Sequence, residues 1–213
     1  MLVGLCGRSG SGKGYIAKMF ANSGIPSIDT DRVYRDITGP SGELSPCMKD
    51  LKERFGEAVV SHDGSLNRVV MRDLVFGPDS EEALKDLNRI THAHILERTM
   101  VEVDHLQENG ADIILIDAPL LYESGFDKMC SAVVCVTAPE ELLIERIMKR
   151  DNISREDAER RLRTQKNASE LAERADYIIE NNAEKDFLQG RVDRIIAELH
   201  SAIKINQTVG KEI

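Results

Sequence analysis

The amino terminus constrains the fold more than any other stretch of the chain. A short apolar run, Leu2–Cys6, leads into Gly7-Arg8-Ser9-Gly10-Ser11-Gly12-Lys13, and a helical pattern follows at once. G-x-x-x-x-G-K between a strand and a helix is the pattern of a phosphate-binding loop. Its glycines let the backbone curl until several N–H groups point inward, and the helix N-terminus adds partial positive charge. Lys13 is placed to reach the β- and γ-phosphates as a point charge. A glycine-rich turn without a ligand is the alternative, and the flanking strand and helix argue against it. One position departs from the motif. Gly14, followed by Tyr15, stands where a Ser or Thr hydroxyl would bind Mg²⁺. The cradle survives because it is backbone. The direct metal contact is lost, so water or carboxylates take a larger share of the metal, or activity falls.

Further apolar runs cover residues 26–28, 113–116, 132–136 and 177–179. They lack strict alternation, as strands buried on both faces do. Helical patterns cover residues 14–22, with Gly24 as the stop, then 80–108, 139–150 and 185–203. Another opens at Ser154-Arg155-Glu156-Asp157, a capping box with Asp in the Glu or Gln position. Strands alternating with helices predict an α/β fold, a doubly wound parallel sheet of five strands. Residues 38–108 offer that sheet no strand and are too long for an ordinary connection, so they are expected to form a helical, substrate-facing insert. Residues 206–213 read as a frayed tail.

Net charge is −9, from 28 basic and 37 acidic residues, which disfavours nucleic-acid binding unless the basic groups cluster. No run approaches the ~18 apolar residues of a membrane helix. Cys6, Cys47, Cys130 and Cys135 form no C-x-x-C pair and read as buried, reduced thiols. The amino terminus lacks the pattern of a signal peptide, and a cytoplasmic location is expected. The basic groups do cluster between residues 146 and 166, eight against four acidic. Arg146 and Arg150 lie one turn apart on one helical face, as do Arg161 and Gln165. Phosphoryl transfer needs movable cations over the transferring group, and a charged helical lid supplies them. A solvated helix laced with ion pairs is the plainer reading for most of the run.

Three carboxylates stand at strand ends. Asp29 and Asp31 follow the second strand, where ligands bind in open α/β sheets. One could accept the proton of an attacking hydroxyl while the other holds Mg²⁺ or positions the loop. Alternatively Asp31 only caps a helix starting at Arg32. Asp117 closes the third apolar run, as a Mg²⁺-linked group or as a satisfied strand-end carboxylate.

Taken together the motifs resemble those of the dephospho-CoA kinase family. The resemblance rests on Gly4-Leu5-Cys6-Gly7 with the phosphate loop, Ile28-Asp29-Thr30-Asp31, Phe55-Gly56, and Asp63-Gly64-Ser65-Leu66-Asn67-Arg68. It continues through Asp117-Ala118-Pro119-Leu120-Leu121-Tyr122-Glu123, Arg150-Asp151, Arg161, Gln165, and Ala175-Asp176-Tyr177 to Asn181. It spans nearly the whole chain in order. It implies ATP-dependent phosphorylation of the ribose 3′-hydroxyl of dephospho-CoA, the last step of CoA biosynthesis, with Mg²⁺. It implies ATP on Ser9, Gly10, Ser11, Gly12, Lys13, Gly14 and Tyr15, with Arg150 and Arg161 closing over the phosphates and Asn181 near the adenine. Asp31 is implied as the base, alongside Lys13 and Arg150 in catalysis, and Asp117 as the metal-side carboxylate. Arg68, His92, Pro119, Leu120 and Leu121 are implied on the dephospho-CoA side, although a lone helical His is often merely packed. The implied architecture is one domain of three parts: core 1–37, 109–145 and 175–205, CoA-binding insert 38–108, and lid 146–174. Its partners would be small molecules, without nucleic acid or membrane, in a monomer or weak homo-oligomer. Besides Gly14 and Tyr15, Ala93 and Leu143 depart from the family pattern, which usually has Pro and Gln there. A nucleoside or nucleotide kinase of the same core, and an ATP-binding protein weakened in catalysis by Gly14, remain as alternative functions.

Overall fold

A computed structural model describes residues 1–77, 80–182 and 184–209. The chain begins with β1 (Leu2–Cys6), whose residues are buried almost throughout, and enters α1 (Lys13–Asn22). Gly24 ends that helix with φ +85°, a conformation glycine adopts without strain. Next come β2 (Ser27–Asp29), α2 (Thr30–Thr38), α3 (Pro46–Phe55), α4 (Arg68–Val75) and the long α5 (Glu81–Glu108). The second half holds β3 (Ile114–Asp117), β4 (Ala132–Thr137), α6 (Glu140–Asp151), α7 (Arg155–Arg163), α8 (Ala168–Glu173), β5 (Tyr177–Glu180) and α9 (Lys185–Val209).

The strands form one five-stranded parallel sheet in the order β2-β3-β1-β4-β5. β1 sits centrally, with Leu5 opposite Asp117 of β3 and Cys6 opposite Cys135 of β4. On one face Val3, Leu5, Leu115, Val134 and Val136 meet Ile16 and Phe20 of α1 and Leu188, Val192, Ile195 and Leu199 of α9. That stripe explains why the sequence patterns of both helices are amphipathic. On the opposite face Gly4 matters, because a Cβ there would stand 2.8 Å from Leu121 Cδ2. The missing side chain lets the segment after β3 pack down on the central strand.

The chain divides into two compact units, Met1–Ile28 with everything from His105 onward, and Asp29–Asp104. The second is helical. Cys47, Met48, Leu51, Val59, Leu66, Met71, Val75 and Ile90 form its core. Ser45 caps α3 by accepting the Met48 N–H at 3.1 Å, and Asn67 caps α4 by accepting that of Val70 at 3.2 Å. An isolated bridge, Val60 to Leu66, is its strand-like feature among the described residues.

Some local details follow expectation and others differ. Ser154 caps α7 as expected, accepting the Asp157 N–H at 3.1 Å, and the Asp157 carboxylate bonds back to both the hydroxyl and the backbone amide of Ser154. Gln165 lies beyond the end of α7, so it does not continue the helical face of Arg161. The last helix continues to Val209, past the expected start of a tail, and residues 210–213 lie outside the described residues. All four cysteines are free thiols. Burial pushes those of Cys47 and Cys130 up to about 12. Among the described residues no helix is long and apolar enough to cross a membrane.

Candidate active site: a braced phosphate loop

Residues 7–13 leave the carboxyl end of β1 and turn back into α1. Gly10 and Gly12 take φ of +81° and +88°, in the left-handed region. Space is as decisive as torsion. A Cβ on Gly10 would lie 2.6 Å from the Leu143 carbonyl oxygen, and one on Gly12 only 2.1 Å from Asn181 Nδ2. Gly12 is also the N-cap of α1 and supplies no side-chain cap, so the first-turn amides of that helix receive none. Amides so arranged form an anion cradle.

The loop is held from behind. The Arg146 guanidinium donates to the carbonyls of Gly10 (3.3 Å) and Asn181 (3.0 Å). Asn181, itself buried, donates its amide to the Ser11 carbonyl at 2.7 Å. Arg8 leaves the loop to bond Glu140 at 3.3 Å and the Leu162 carbonyl at 2.9 Å. The Ser9 N–H donates to Gln165 Oε1 at 3.0 Å. Lys13 spans the loop, its Nζ donating to the Gly7 carbonyl at 2.9 Å. Gly14 and Tyr15 are exposed at the start of α1, and nothing stands within 4 Å of where a Gly14 Cβ would be.

Two arginines, one on α6 and one on α7, share one carboxylate. Arg150 contacts Asp151 through Nε (2.7 Å) and one terminal nitrogen (2.9 Å), and that nitrogen also donates to Ser9 Oγ at 3.2 Å. Arg161 bonds the same carboxylate. The Arg150 guanidinium, with Arg161 adding to it, holds the Asp151 carboxyl at about 2.

Asp117 closes β3 half-buried. In the segment after it, Pro119 and Leu120 are exposed but Leu121 is not: it lies in the interior against Gly4 and Cys130. The Leu121 side chain anchors the segment, while Pro119 and Leu120 stand at its surface. Tyr122 is pinned under Arg174, whose guanidinium carbon lies 3.8 Å from the ring centroid.

Within the second unit, Asp29 is the N-cap of α2, accepting the N–H groups of Asp31 (2.8 Å) and Arg32 (3.2 Å). The capping alternative raised for Asp31 thus belongs to Asp29. Asp31 sits exposed in the first turn. Arg68 opens α4 with its guanidinium carbon 5.8 Å from the Tyr34 ring centroid, and His92 is half-buried on α5.

The family model described as dephospho-CoA kinase matches residues 1–186. A relative named dephospho-CoA kinase from Syntrophotalea carbinolica is 34% identical over 96% of this chain and 94% of its own length. A crystal structure from Thermus thermophilus aligns with TM-score 0.78 at 30% identity, covering 93% of this chain and 97% of the other. A dephospho-CoA kinase structure from Campylobacter jejuni gives 0.66 at 25% identity, covering 94% and 98%. The chain belongs to the dephospho-CoA kinase family. Its class is that of an ATP-dependent phosphotransferase of CoA biosynthesis. Within that family frame, the residues that sequence reasoning undervalued are the braces. Arg146 carried a signal, one helical turn before Arg150, but its acceptors are backbone carbonyls that no motif reveals. Arg8 occupies a variable position of the loop pattern and gave none.

Proposed function

We propose that residues 7–13 hold the polyphosphate of ATP and that the chain transfers the γ-phosphoryl group to the ribose 3′-hydroxyl of dephospho-CoA. The observation that carries the reading is the loop: glycines that admit no side chain, an uncapped helix start, and Lys13 lying across it. In the reaction the ribose 3′-oxygen bonds to the γ-phosphorus, the bond from that phosphorus to the bridging oxygen breaks, and ADP leaves. Asp31 takes the hydroxyl proton; an exposed carboxylate suits a general base that must meet an incoming substrate. Lys13 neutralises the phosphates, and Ser9, Gly10, Ser11, Gly12, Gly14 and Tyr15 line their path. Arg150 and Arg161 exchange part of their hold on Asp151 for phosphate oxygens, which stabilises charge on the transferring group. Asn181 supports the loop on the adenine side. Arg68, His92, Pro119 and Leu120 serve dephospho-CoA.

Mg²⁺ binds kinase substrates through one or two carboxylates plus phosphate oxygens, so a sparse protein donor set fits it. Asp117 is the carboxylate that would serve, and Gly14 contributes no hydroxyl. Bound there, the ion would offset phosphate charge. The three-part division into core, insert 38–108 and lid 146–174 goes with this reading, as does a cytoplasmic enzyme acting as a monomer or weak homo-oligomer.

The test is ADP release with dephospho-CoA, ATP and Mg²⁺, run beside nucleosides and nucleotides as acceptors. Turnover confined to dephospho-CoA supports the reading. Turnover on nucleosides instead moves the chain to the sibling class, and ATP binding without turnover on any acceptor leaves a binding protein.

A further inference from the structure

Two side chains from the last third of the chain grip carbonyls of the phosphate loop. A trans peptide unit points its C=O and N–H in opposite directions, so fixing one fixes the other. Arg146 grips the Gly10 carbonyl at 3.3 Å. The N–H of the same peptide unit, that of Ser11, turns the other way and closes the Arg8–Ser11 turn on the Arg8 carbonyl at 3.1 Å. Asn181 grips the Ser11 carbonyl at 2.7 Å, which turns the Gly12 N–H away from Asn181 and toward the loop interior. Arg146 also bonds the Asn181 backbone carbonyl at 3.0 Å, joining both grips into one unit. Three features make this a device for orientation. The guanidinium is a planar fork whose donors serve two acceptors at fixed angles. Gly10 and Gly12 leave no room for a Cβ, which would meet the Leu143 carbonyl oxygen at 2.6 Å and Asn181 Nδ2 at 2.1 Å, so the backbone lies hard against its supports. The brace contacts carbonyls: of the two amides it orients, that of Ser11 closes the turn and that of Gly12 is left to the ligand.

We infer that Arg146 is a positioning residue for nucleotide binding: it acts through the Gly10 and Ser11 peptide units and sets the Gly12 amide that receives ATP. The inference rests on the assignment of the loop to ATP. A preorganised cradle binds more tightly because it is ordered before the ligand arrives. Loss of the brace therefore shows in ATP affinity first.

Arg146→Met keeps the aliphatic volume and removes both bonds, and Arg146→Lys keeps the charge with one compact donor group. ATP dissociation constants by calorimetry, nucleotide-free melting temperatures and the KM for dephospho-CoA are measured for both variants and the parent. The expected result is ATP affinity weakened about tenfold or more in Arg146→Met, matching the loss of charged hydrogen bonds. A smaller loss is expected in Arg146→Lys, with KM for dephospho-CoA held and the nucleotide-free melting temperature within a few degrees of the parent. Amide exchange at Ser11 should quicken in step. Unchanged ATP affinity overturns the inference. So does a melting temperature that falls with both substrates' affinities weakened alike in each variant, since that marks a role in the fold at large. If Arg146→Met does not fold, Arg146→Lys decides on the same readouts. A parent protein that binds no ATP would refute the loop assignment itself, and this inference with it.

Discussion

Asp29 Oδ1 accepts the backbone N–H of Asp31 at 2.8 Å, so two carboxylates one residue apart have separate tasks in the fold. Asp29 satisfies the start of α2, and Asp31 stands in the first turn of that helix.

That separation makes paired substitutions informative. Asp31→Asn should lower turnover about 10²- to 10⁴-fold while ATP affinity holds, as expected for a lost general base. Asp29→Ala should instead cost about 1 kcal/mol of stability through the missing cap. Steady-state kinetics and thermal melts of both variants check this, and near-normal turnover in Asp31→Asn removes Asp31 from the role.

Gly12→Ala should abolish ATP binding. The new Cβ meets Asn181 Nδ2 at 2.1 Å in a backbone conformation with φ +88°, so the loop must leave its shape. The left-handed conformation alone costs about 1–2 kcal/mol for a residue with a Cβ. Calorimetric titration with ATP would detect the loss, and retained binding would show that the cradle lies elsewhere.

Gly14→Ser should be tolerated, because the space around that Cβ is open. With a hydroxyl restored, the Mg²⁺ concentration giving half-maximal activity should fall. An unchanged titration would mean that carboxylate and water ligands already suffice.

The Arg150–Asp151–Arg161 cluster should be insensitive to pH across the neutral range. Asp151 has its carboxyl lowered from 3.8 to about 2 by Arg150 first and Arg161 after it. A group whose folded value is depressed contributes stability above its unfolded value and loses it as pH falls through the folded one. The difference in stability between the parent and Asp151→Asn should thus stay flat from pH 5 to 8 and shrink as pH drops from about 4 toward 2. Acid melts of both proteins provide the measurement.

Cys47 and Cys130, raised to about 12 by burial, should resist alkylation at pH 8 in the native protein and react on unfolding. Mass-mapped labelling with iodoacetamide decides it; rapid native labelling at Cys47 would contradict its buried position.

Sequence alone carried the strand–loop–helix at the amino terminus because glycine spacing and hydrophobic period are local properties. It also marked residues 38–108 as outside the sheet, because their length and helical pattern leave no strand to add. What it missed depended on partners remote in sequence or on backbone geometry. Asp at position 29 or 31 can accept amides equally well; only the torsions at Asp29, extended at φ −87° and ψ 109°, decide which one caps. Leu120 and Leu121 are the same residue type in a loop, and Gly4 on the central strand determines which one is buried. The grip of Arg146 on Gly10 joins residues 136 apart through a carbonyl that every residue possesses.

That long separation has a consequence for how the molecule is made. The side chain that grips the Ser11 carbonyl is synthesised 170 residues after the loop it supports. A nascent chain arrested before Arg146 displays the complete motif without the supports that shape it. The loop reaches its braced shape only once Asn181 has been made, so a nucleotide held there would secure folded chain more than it would seed the core.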